Sequence, residues 1–265
     1  MNATLFLKEL KSNAFSFLVI TAVLALYIVS IAYMYDPEIT KNLDAVMASM
    51  PELFAAFGMA NLSSTMTDFM LNYLYGFLLT WVPLLLIMMI INHTIVRPID
   101  RSTLANLLST PVKRQTIANT FALVTIFALI LELVLVVVFE IACSEALFPG
   151  EIDAQALSYA SLGLLGLWIF MAGICFASAC CFKDSRLALW GGGGVCLLLL
   201  LMQVLTQAGD GLQILKDMNP VTHFDPFAVA AGSSDAILAC VILALAGICF
   251  FALGIAVFCK RDLNI

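Results

Sequence analysis

IANTFALVTIFALILELVLVVVF, residues 117–139, is the stretch that decides the fold of this chain. It contains one ionisable side chain, Glu132, in a run long enough to cross the hydrocarbon core of a bilayer, which needs about 20 apolar residues. In lipid, a single segment satisfies its own backbone polar groups only as a helix. The stretch therefore predicts a membrane-spanning helix.

Five further apolar runs of similar length occur along the sequence. Together, the predicted spans are residues 14–35, 69–91, 117–139, 157–182, 187–207 and 236–259. The composition, 63% hydrophobic and 11% charged with a mean hydropathy of +1.05, suits lipid as the solvent. We expect an all-α membrane protein with six transmembrane helices, in which residues 1–265 form a single transmembrane domain.

Lysine and arginine are unevenly distributed between the loops. If the N-terminus is cytoplasmic, ten of the twelve basic residues fall in inner segments, and only Lys41 and Lys216 fall outside. The positive-inside rule then predicts that both termini are cytoplasmic. We expect a multi-pass protein of the cell membrane of a bacterium, in contact with lipid. The net charge of -6 leaves no basic face for a nucleic acid, so none is expected as a partner.

Small residues recur within the spans at helical spacing. They predict faces where helices pack closely, because small side chains let two backbones approach. The run of four glycines at residues 191–194 suits either a hinge or a tight packing contact. The eight cysteines lie mostly in apolar runs and lack the paired spacing of a zinc site, so no metal is expected. The packing residues are Cys240, Ala244, Gly247 and Gly254 in the sixth span and Gly166, Gly173, Ala177 and Cys180 in the fourth.

Three segments outside the spans carry apolar side chains. Residues 6–11 place apolar and basic side chains on different helical faces, which predicts an amphipathic helix in the inner interface or, alternatively, a frayed basic start. Residues 43–60 predict two short helices around Pro51, acting either as an outer gate or as a lid packed on its own helices. Residues 219–232 contain two prolines and predict a short re-entrant or interfacial element on the outer side.

The longest inner loop, residues 93–116, reads HTIVRPIDRSTLANLLSTPVKRQT. Ser102 can cap a short helix, and Pro111 follows where that helix is expected to end. The helix would place leucines on one face between basic flanks; an ordinary interfacial helix anchored by positive charges is the alternative. The leucines are Leu104, Leu107 and Leu108, and the basic residues are Arg97, Arg101, Lys113 and Arg114.

Two glutamates in the third span are costly at membrane depth. Glu132 lies well inside the span, and Glu140 follows eight residues later near its outer end. Each should face a neighbouring helix or a wet cavity, because an ionisable group is not stable against lipid. A substrate contact, a proton-coupled step and a hydrogen bond to another helix all remain open.

The segment DRSTLANLLSTPVKRQTIANT, residues 100–120, resembles the stretch between the second and third spans of the ABC-2 type permease family, the membrane subunits of ABC exporters. PELFAAFGM at residues 51–59 and CKRDLNI at residues 259–265 are similar in style to that family. The resemblance implies a dimer of identical or paired permease subunits with a pathway at their interface. It also implies that the inner loop forms a coupling helix seated on a separate cytoplasmic ATPase.

Residue roles follow from the same resemblance. The leucines of the coupling helix would be buried against the ATPase, with Arg101, Lys113 and Arg114 at the rim of that contact. In the family the second and fifth spans line the pathway, although interhelical hydrogen bonding would explain the polar residues there as well. The candidate pathway residues are Asn72, Tyr75, Leu79, Gln203, Thr206 and Gln207.

The expected function is that of an export permease subunit. It would move an amphipathic or hydrophobic substrate, such as a peptide, an antibiotic or a lipid-like molecule, outward by alternating access. The sequence lacks GxxxxGK[ST], so ATP and Mg²⁺ are expected on the partner ATPase, with no cofactor and no enzyme activity on this chain. The alternative is a passive channel or a membrane assembly factor without ATP coupling. An intramembrane enzyme is less favoured, because no HExxH motif or pair of membrane aspartates occurs.

Overall fold

The computed structural model describes residues 2–35, 49–50, 53, 65–100, 112–182, 184–207 and 213–260, and its regular structure there is helical. Within these ranges, six helices are long and apolar enough to cross a membrane, which confirms the predicted six-helix, multi-pass architecture. The long helices are α1 (Ala3–Met34), α2 (the span Met66–Ile99), α3 (Arg114–Leu147), α4 (Ala154–Cys181), α5 (Ser185–Gln207) and α8 (Ser234–Lys260). Between α5 and α8 lie α6 (Gln213–Met218), a 3₁₀ turn (Pro220–His223) and α7 (Pro226–Ala230).

Helix α2 is irregular along its length. It starts at a capping box in which the Thr65 hydroxyl accepts from the amide of Asp68 and the Asp68 carboxylate accepts from the amide of Thr65. Two stretches are π-helical, where each turn takes up an extra residue and side chains rotate relative to an α-helix. The consecutive segments are Met66–Met70, Leu71–Leu78 (π), Leu79–Ile91, Asn92–Val96 (π) and Arg97–Asp100.

Contacts at the helix ends establish the directions of the spans. The amide of Asn2 donates to the Thr120 hydroxyl (3.3 Å) where α1 and α3 begin, and the rings of Tyr35 and Phe148 pack 5.0 Å apart where both helices end. Helices α1 and α3 are therefore parallel, and α2 returns between them. This alternation is what six consecutive spans require.

The alternation collects opposite charges at the two ends of the bundle. Asn2 and Lys260 lie at the same end, so the first and last described residues share one side. We call this the basic end, with Lys8, Lys11, Arg97, Lys113, Arg114, Arg186 and Lys260; Glu9 and Asp184 also lie there. The opposite, acidic end carries Asp68, Glu145, Glu151, Asp153, Asp217, Asp225 and Asp235.

The predicted N-terminal interfacial helix is not a separate element. Asn2 caps a helix that runs without a break from Ala3 to Met34, so residues 6–11 form the first turns of the first span. The helix continues because Asn13, which lies beyond the amphipathic segment, is buried and donates through Nδ2 to the Thr94 hydroxyl of α2 (3.2 Å). Packing against protein holds these turns in line with the span.

Helices α4 and α8 approach most closely at the predicted small residues. A Cβ atom placed on Gly247 would lie 2.5 Å from the carbonyl oxygen of Ile169, and one placed on Gly166 would lie 2.6 Å from that of Cys240. Both distances are shorter than van der Waals contact, so only glycine fits. The predicted packing face is confirmed.

The glycine run of α5 is also a packing contact. A Cβ atom on Gly192 would lie 2.5 Å from the Cα atom of Cys175 in α4, and one on Gly193 would lie 2.6 Å from the side chain of Met88 in α2. Gly194 faces open space. The close approach favours packing over a hinge as the role of this run.

Candidate functional site

Glu140 lies where α2, α3 and α4 meet, and its side chain is fully buried. The Tyr75 hydroxyl of α2 lies 3.0 Å from Oε2 of Glu140 and 2.5 Å from the Ser161 hydroxyl of α4. The Ser161 hydroxyl in turn donates to the carbonyl oxygen of Leu157 at 2.7 Å. We call these four residues the Glu140 network.

The π-helical segment Leu71–Leu78 positions Tyr75 in this network. The Thr80 hydroxyl donates to the carbonyl oxygen of Tyr75 at 3.0 Å, five residues back along the chain. The Tyr75 side chain is 1% exposed, so the whole phenol lies inside the subunit. Short π segments occur frequently at functional sites, because they turn one residue out of the regular helical register.

Glu132 forms a second, separate contact with a neighbouring helix. It lies eight residues before Glu140 on α3, which places it about 12 Å away along the helix axis. Its Oε2 lies 2.7 Å from the Thr21 hydroxyl of α1, and that hydroxyl also lies 2.9 Å from the carbonyl oxygen of Phe17. Both glutamates therefore have the interhelical hydrogen bonds that one interpretation of the sequence expects.

Each carboxyl group has one oxygen without a hydrogen-bond partner among the described residues. These atoms are Oε1 of Glu132 and Oε1 of Glu140, and the Ser144 hydroxyl, one turn beyond Glu140, is in the same condition. An unsatisfied buried polar group costs about 1–3 kcal/mol, so its persistence needs an explanation. Glu140 and Ser144 lie one turn apart on α3, so two such groups lie close together, and this place is the candidate site.

A cavity of about 680 Å³ opens at the acidic end between the starts of α2 and α4. The side chains of Asp68, Glu151 and Asp153 contribute to its wall. Asp153 also caps α4, since its carboxylate accepts from the amides of Gln155 and Ala156. The carboxylate oxygens on its wall that do not cap a helix can accept hydrogen bonds from water.

This cavity approaches the Glu140 network along two helices. Its lining includes Leu71, four residues before Tyr75 on α2, and Ala156, five residues before Ser161 on α4. A turn of helix rises roughly 5 Å, so the network lies about one turn deeper than the cavity lining.

The predicted pathway residues of α2 lie inside the subunit. The side chains of Asn72, Tyr75 and Leu79 are at most 1% exposed. In this conformation they contact other helices of the same chain, and Tyr75 belongs to the Glu140 network. Their burial means that a path between two subunits would reach them only after a rearrangement of α2.

The predicted pathway residues of α5 form another group. Gln203 and Thr206 are buried, and Gln207 is half-buried. The Thr206 hydroxyl donates to the carbonyl oxygen of Gln203 at 2.9 Å, within the same helix. Next to this group, Asn219 Nδ2 donates to the carbonyl oxygen of Leu199 at 2.8 Å and ties the segment after α6 to α5.

The predicted coupling residues are only partly described. Lys113 is the N-cap residue of α3 and Arg114 its first residue, and both side chains are exposed at the basic end. Arg97 begins the last segment of α2 and is also exposed at the basic end, with Nη1 3.0 Å from Nε2 of His93. The predicted outer segment, residues 43–60, lies almost wholly outside the described residues. So do the remaining coupling residues, Arg101, Leu104, Leu107 and Leu108.

Residues 219–232, where a short re-entrant or interfacial element is predicted, contain the 3₁₀ turn and α7. His223 Nδ1 lies 3.1 Å from the carbonyl oxygen of Asn219, and the Asp225 carboxylate caps α7 by accepting from the amide of Phe227. Both polar side chains thus have local structural roles. Within the described ranges, no group of three or more His, Cys, Asp and Glu side chains could hold a metal ion.

Sequence reasoning identified Glu132, Glu140 and Tyr75 but missed Ser161 and Thr21. Each is one of several hydroxyl residues in its span, and such residues are also common where a hydroxyl bonds back to its own helix, so the sequence does not single them out. No family model matches the sequence, and no curated protein matches it. The site must therefore be interpreted from its own geometry.

Proposed function

We propose that this chain is the membrane permease subunit of an ATP-driven exporter. A separate cytoplasmic ATPase would bind ATP and Mg²⁺, and a second permease subunit, identical or not, would complete the pathway. The substrate would be amphipathic or hydrophobic, in keeping with the 12 methionines and 19 phenylalanines of the chain. The resemblance of residues 100–120 to ABC-2 type permeases motivates the proposal.

One structural observation supports it above the others. The part of the sequence that carries Leu104, Leu107 and Leu108 of the predicted coupling helix joins α2 to α3. The exposed side chains of Arg97 and Lys113 lie on either side of it in the sequence. These two helices also meet at the contact between Tyr75 and Glu140. A protein bound to the connecting segment would therefore act on both helices at once, as a two-state mechanism driven from outside the membrane requires.

The exposed faces of the bundle are compatible with a second subunit. Large apolar side chains such as Phe15 and Leu18 of α1 are 78% and 66% exposed in the single chain. In a membrane such faces contact either lipid or another membrane protein. The dimer is part of the proposal and rests on the resemblance.

The first experiment is purification of the full chain from its native membrane in mild detergent, with identification of stoichiometric soluble partners. A co-purifying protein with the GxxxxGK[ST] sequence is the expected result. If no ATPase co-purifies and ATP turnover in the membranes is unchanged by deletion of this chain, energy coupling is rejected. Conductance of the reconstituted chain then tests the passive channel.

The second experiment addresses the coupling segment. In the reconstituted complex, Leu107→Asp should abolish stimulation of ATP turnover by substrate, because it places a charge on the face proposed to be buried against the ATPase. Asn106→Asp adds the same charge one residue away and should leave stimulation intact. Normal stimulation in Leu107→Asp, or equal losses in the two variants, would reject the assignment of this face.

A further inference from the structure

We propose that Glu140 is a proton-binding site, held as a neutral carboxylic acid in this conformation and able to exchange its proton with water at the acidic end. The proposal concerns this chain alone and does not depend on an ATPase partner. It rests on the number of hydrogens available to the Glu140 network, on the absence of a cationic partner for the carboxyl group among the described residues, and on the position of the cavity.

The hydrogens of the network can be counted. Three contacts join Glu140 to Tyr75, Tyr75 to Ser161 and Ser161 to the carbonyl oxygen of Leu157. Three hydrogen bonds need three hydrogens, but each hydroxyl supplies one and a peptide carbonyl supplies none. The third hydrogen must lie on Glu140, which then donates to Tyr75, Tyr75 to Ser161 and Ser161 to Leu157. With an ionised carboxylate, one of the contacts would bring two lone pairs together.

The surroundings of Glu132 accommodate the same protonation state. The Thr21 hydroxyl has one hydrogen but lies within hydrogen-bond distance of both Oε2 of Glu132 and the carbonyl oxygen of Phe17. If Thr21 donates to the carbonyl, as helix hydroxyls commonly do, Glu132 must donate to Thr21. Both buried glutamates therefore have the surroundings of carboxylic acids.

The charged and titratable groups around Glu140 agree with this protonation state. Tyr75 faces it from α2 and Ser161 from α4, and neither can supply a positive charge. Among the residues that the structure describes, no Lys, Arg or His side chain pairs with Glu140, and its Oε1 has no partner at all. An ionised carboxylate without a cation is strongly disfavoured in such a place. Towards the acidic end, the charged groups are carboxylates: Glu145, five residues further along α3, and Asp68, Glu151 and Asp153 among the residues that line the cavity.

Position distinguishes Glu140 from Glu132 as the exchangeable site. Ser144, whose hydroxyl also lacks a partner, lies one turn from Glu140 towards the acidic end. The cavity lining at Leu71 and Ala156 lies about one turn from the other members of the network. The wall carboxylates attract hydronium and raise its local concentration. Glu132 is about 12 Å further from that end along α3 and should exchange more slowly.

Infrared spectroscopy of the full chain in lipid nanodiscs tests the proposal, because a protonated carboxylic acid has its own C=O stretching band. At neutral pH, Glu140→Gln should remove one component of this band. Glu145→Gln, at an exposed glutamate on the same helix, should leave the band unchanged. Tyr75→Phe should shift the Glu140 component to higher frequency, because the acid loses its acceptor, and this variant serves if Glu140→Gln does not fold.

Exchange is measured by transfer into D₂O. The Glu140 component should shift within the mixing time, and the Glu132 component should shift more slowly. Ala156→Trp, which fills the cavity, should slow the exchange of the Glu140 component and leave that of the Glu132 component unchanged. The proposal is overturned if no acid component is assigned to Glu140 at neutral pH, or if its component fails to exchange, which would make it a sealed structural acid. Loss of the component on adding Na⁺ at constant pH would also overturn it and identify a metal-cation site instead.

Discussion

The indole nitrogen of Trp168 donates a 2.8 Å hydrogen bond to the carbonyl oxygen of Leu79. Leu79 lies four residues before Pro83, which has no amide hydrogen to donate to that carbonyl. Trp168 is fully buried in α4, so a tryptophan of one span supplies the hydrogen bond that proline removes from another. The contact joins α4 to the middle of α2, immediately after the π-helical segment that carries Tyr75.

Replacing Trp168 should therefore destabilise the protein through Leu79. Trp168→Phe leaves a buried carbonyl without its donor and should lower the free energy of unfolding by about 1–3 kcal/mol, in addition to the loss of packing. Pro83→Ala restores an amide at the right position, so the cost of Trp168→Phe should be smaller in that background. Trp190→Phe is the control, because Trp190 is 61% exposed. The free energies of unfolding are measured by denaturant unfolding in mixed micelles. If Trp168→Phe lowers the free energy of unfolding equally with Pro83 and with Pro83→Ala, the pairing of Trp168 with the Leu79 carbonyl is contradicted.

The α4–α8 contact should not accept a single methyl group. Gly247→Ala places a Cβ atom 2.5 Å from the carbonyl oxygen of Ile169, and the helices must separate to accommodate it. We expect a loss of about 1–3 kcal/mol of stability, as for other overpacked sites. Gly194→Ala meets nothing within 4 Å and should leave stability equal or higher, because alanine favours the helix. Thermal unfolding of both variants checks the expectation, and similar midpoints would refute it.

Glu132 should tolerate replacement by an amide but not loss of the hydroxyl that it contacts on α1. Glu132→Gln replaces a neutral acid by a neutral amide of the same shape and should cost less than about 1 kcal/mol. Thr21→Val removes the hydroxyl that accepts from the acid and should cost about 1–3 kcal/mol. Ser30→Ala, at an exposed hydroxyl of the same helix, is the matched control. A larger effect of Glu132→Gln than of Thr21→Val would indicate that the carboxylate is ionised.

The two ends of α8 should be accessible from opposite sides of the membrane. In a cysteine-free background, Ser233→Cys adds a thiol just before the acidic-end start of α8, and Lys260→Cys adds one at its basic-end terminus. The positive-inside rule predicts that the basic end is cytoplasmic. A membrane-impermeant maleimide added to intact cells should label Ser233→Cys and not Lys260→Cys, until the membrane is permeabilised. The reverse pattern would invert the topology.

The number of spans, the sorting of charge and the α4–α8 packing face could all be predicted from the sequence. Each depends on a local or periodic property: hydrophobic length, the position of Lys and Arg, and the spacing of small residues such as Gly166 and Gly247. The continuity of α1 through residues 6–11 could not, because it depends on the burial of Asn13 against Thr94 of another helix.

The sequence by itself thus determined that this chain is a six-span bundle with one basic and one acidic end, and which polar residues lie at membrane depth. Only the tertiary structure decided their partners: Tyr75 and Ser161 for Glu140, Thr21 for Glu132, and Trp168 for the carbonyl of Leu79. The physical reason is that such pairs depend on how far each helix is rotated and shifted against its neighbours. Packing of the whole bundle sets that rotation, and the extra residue in each turn of the π segments changes it further. No local sequence pattern predicts it.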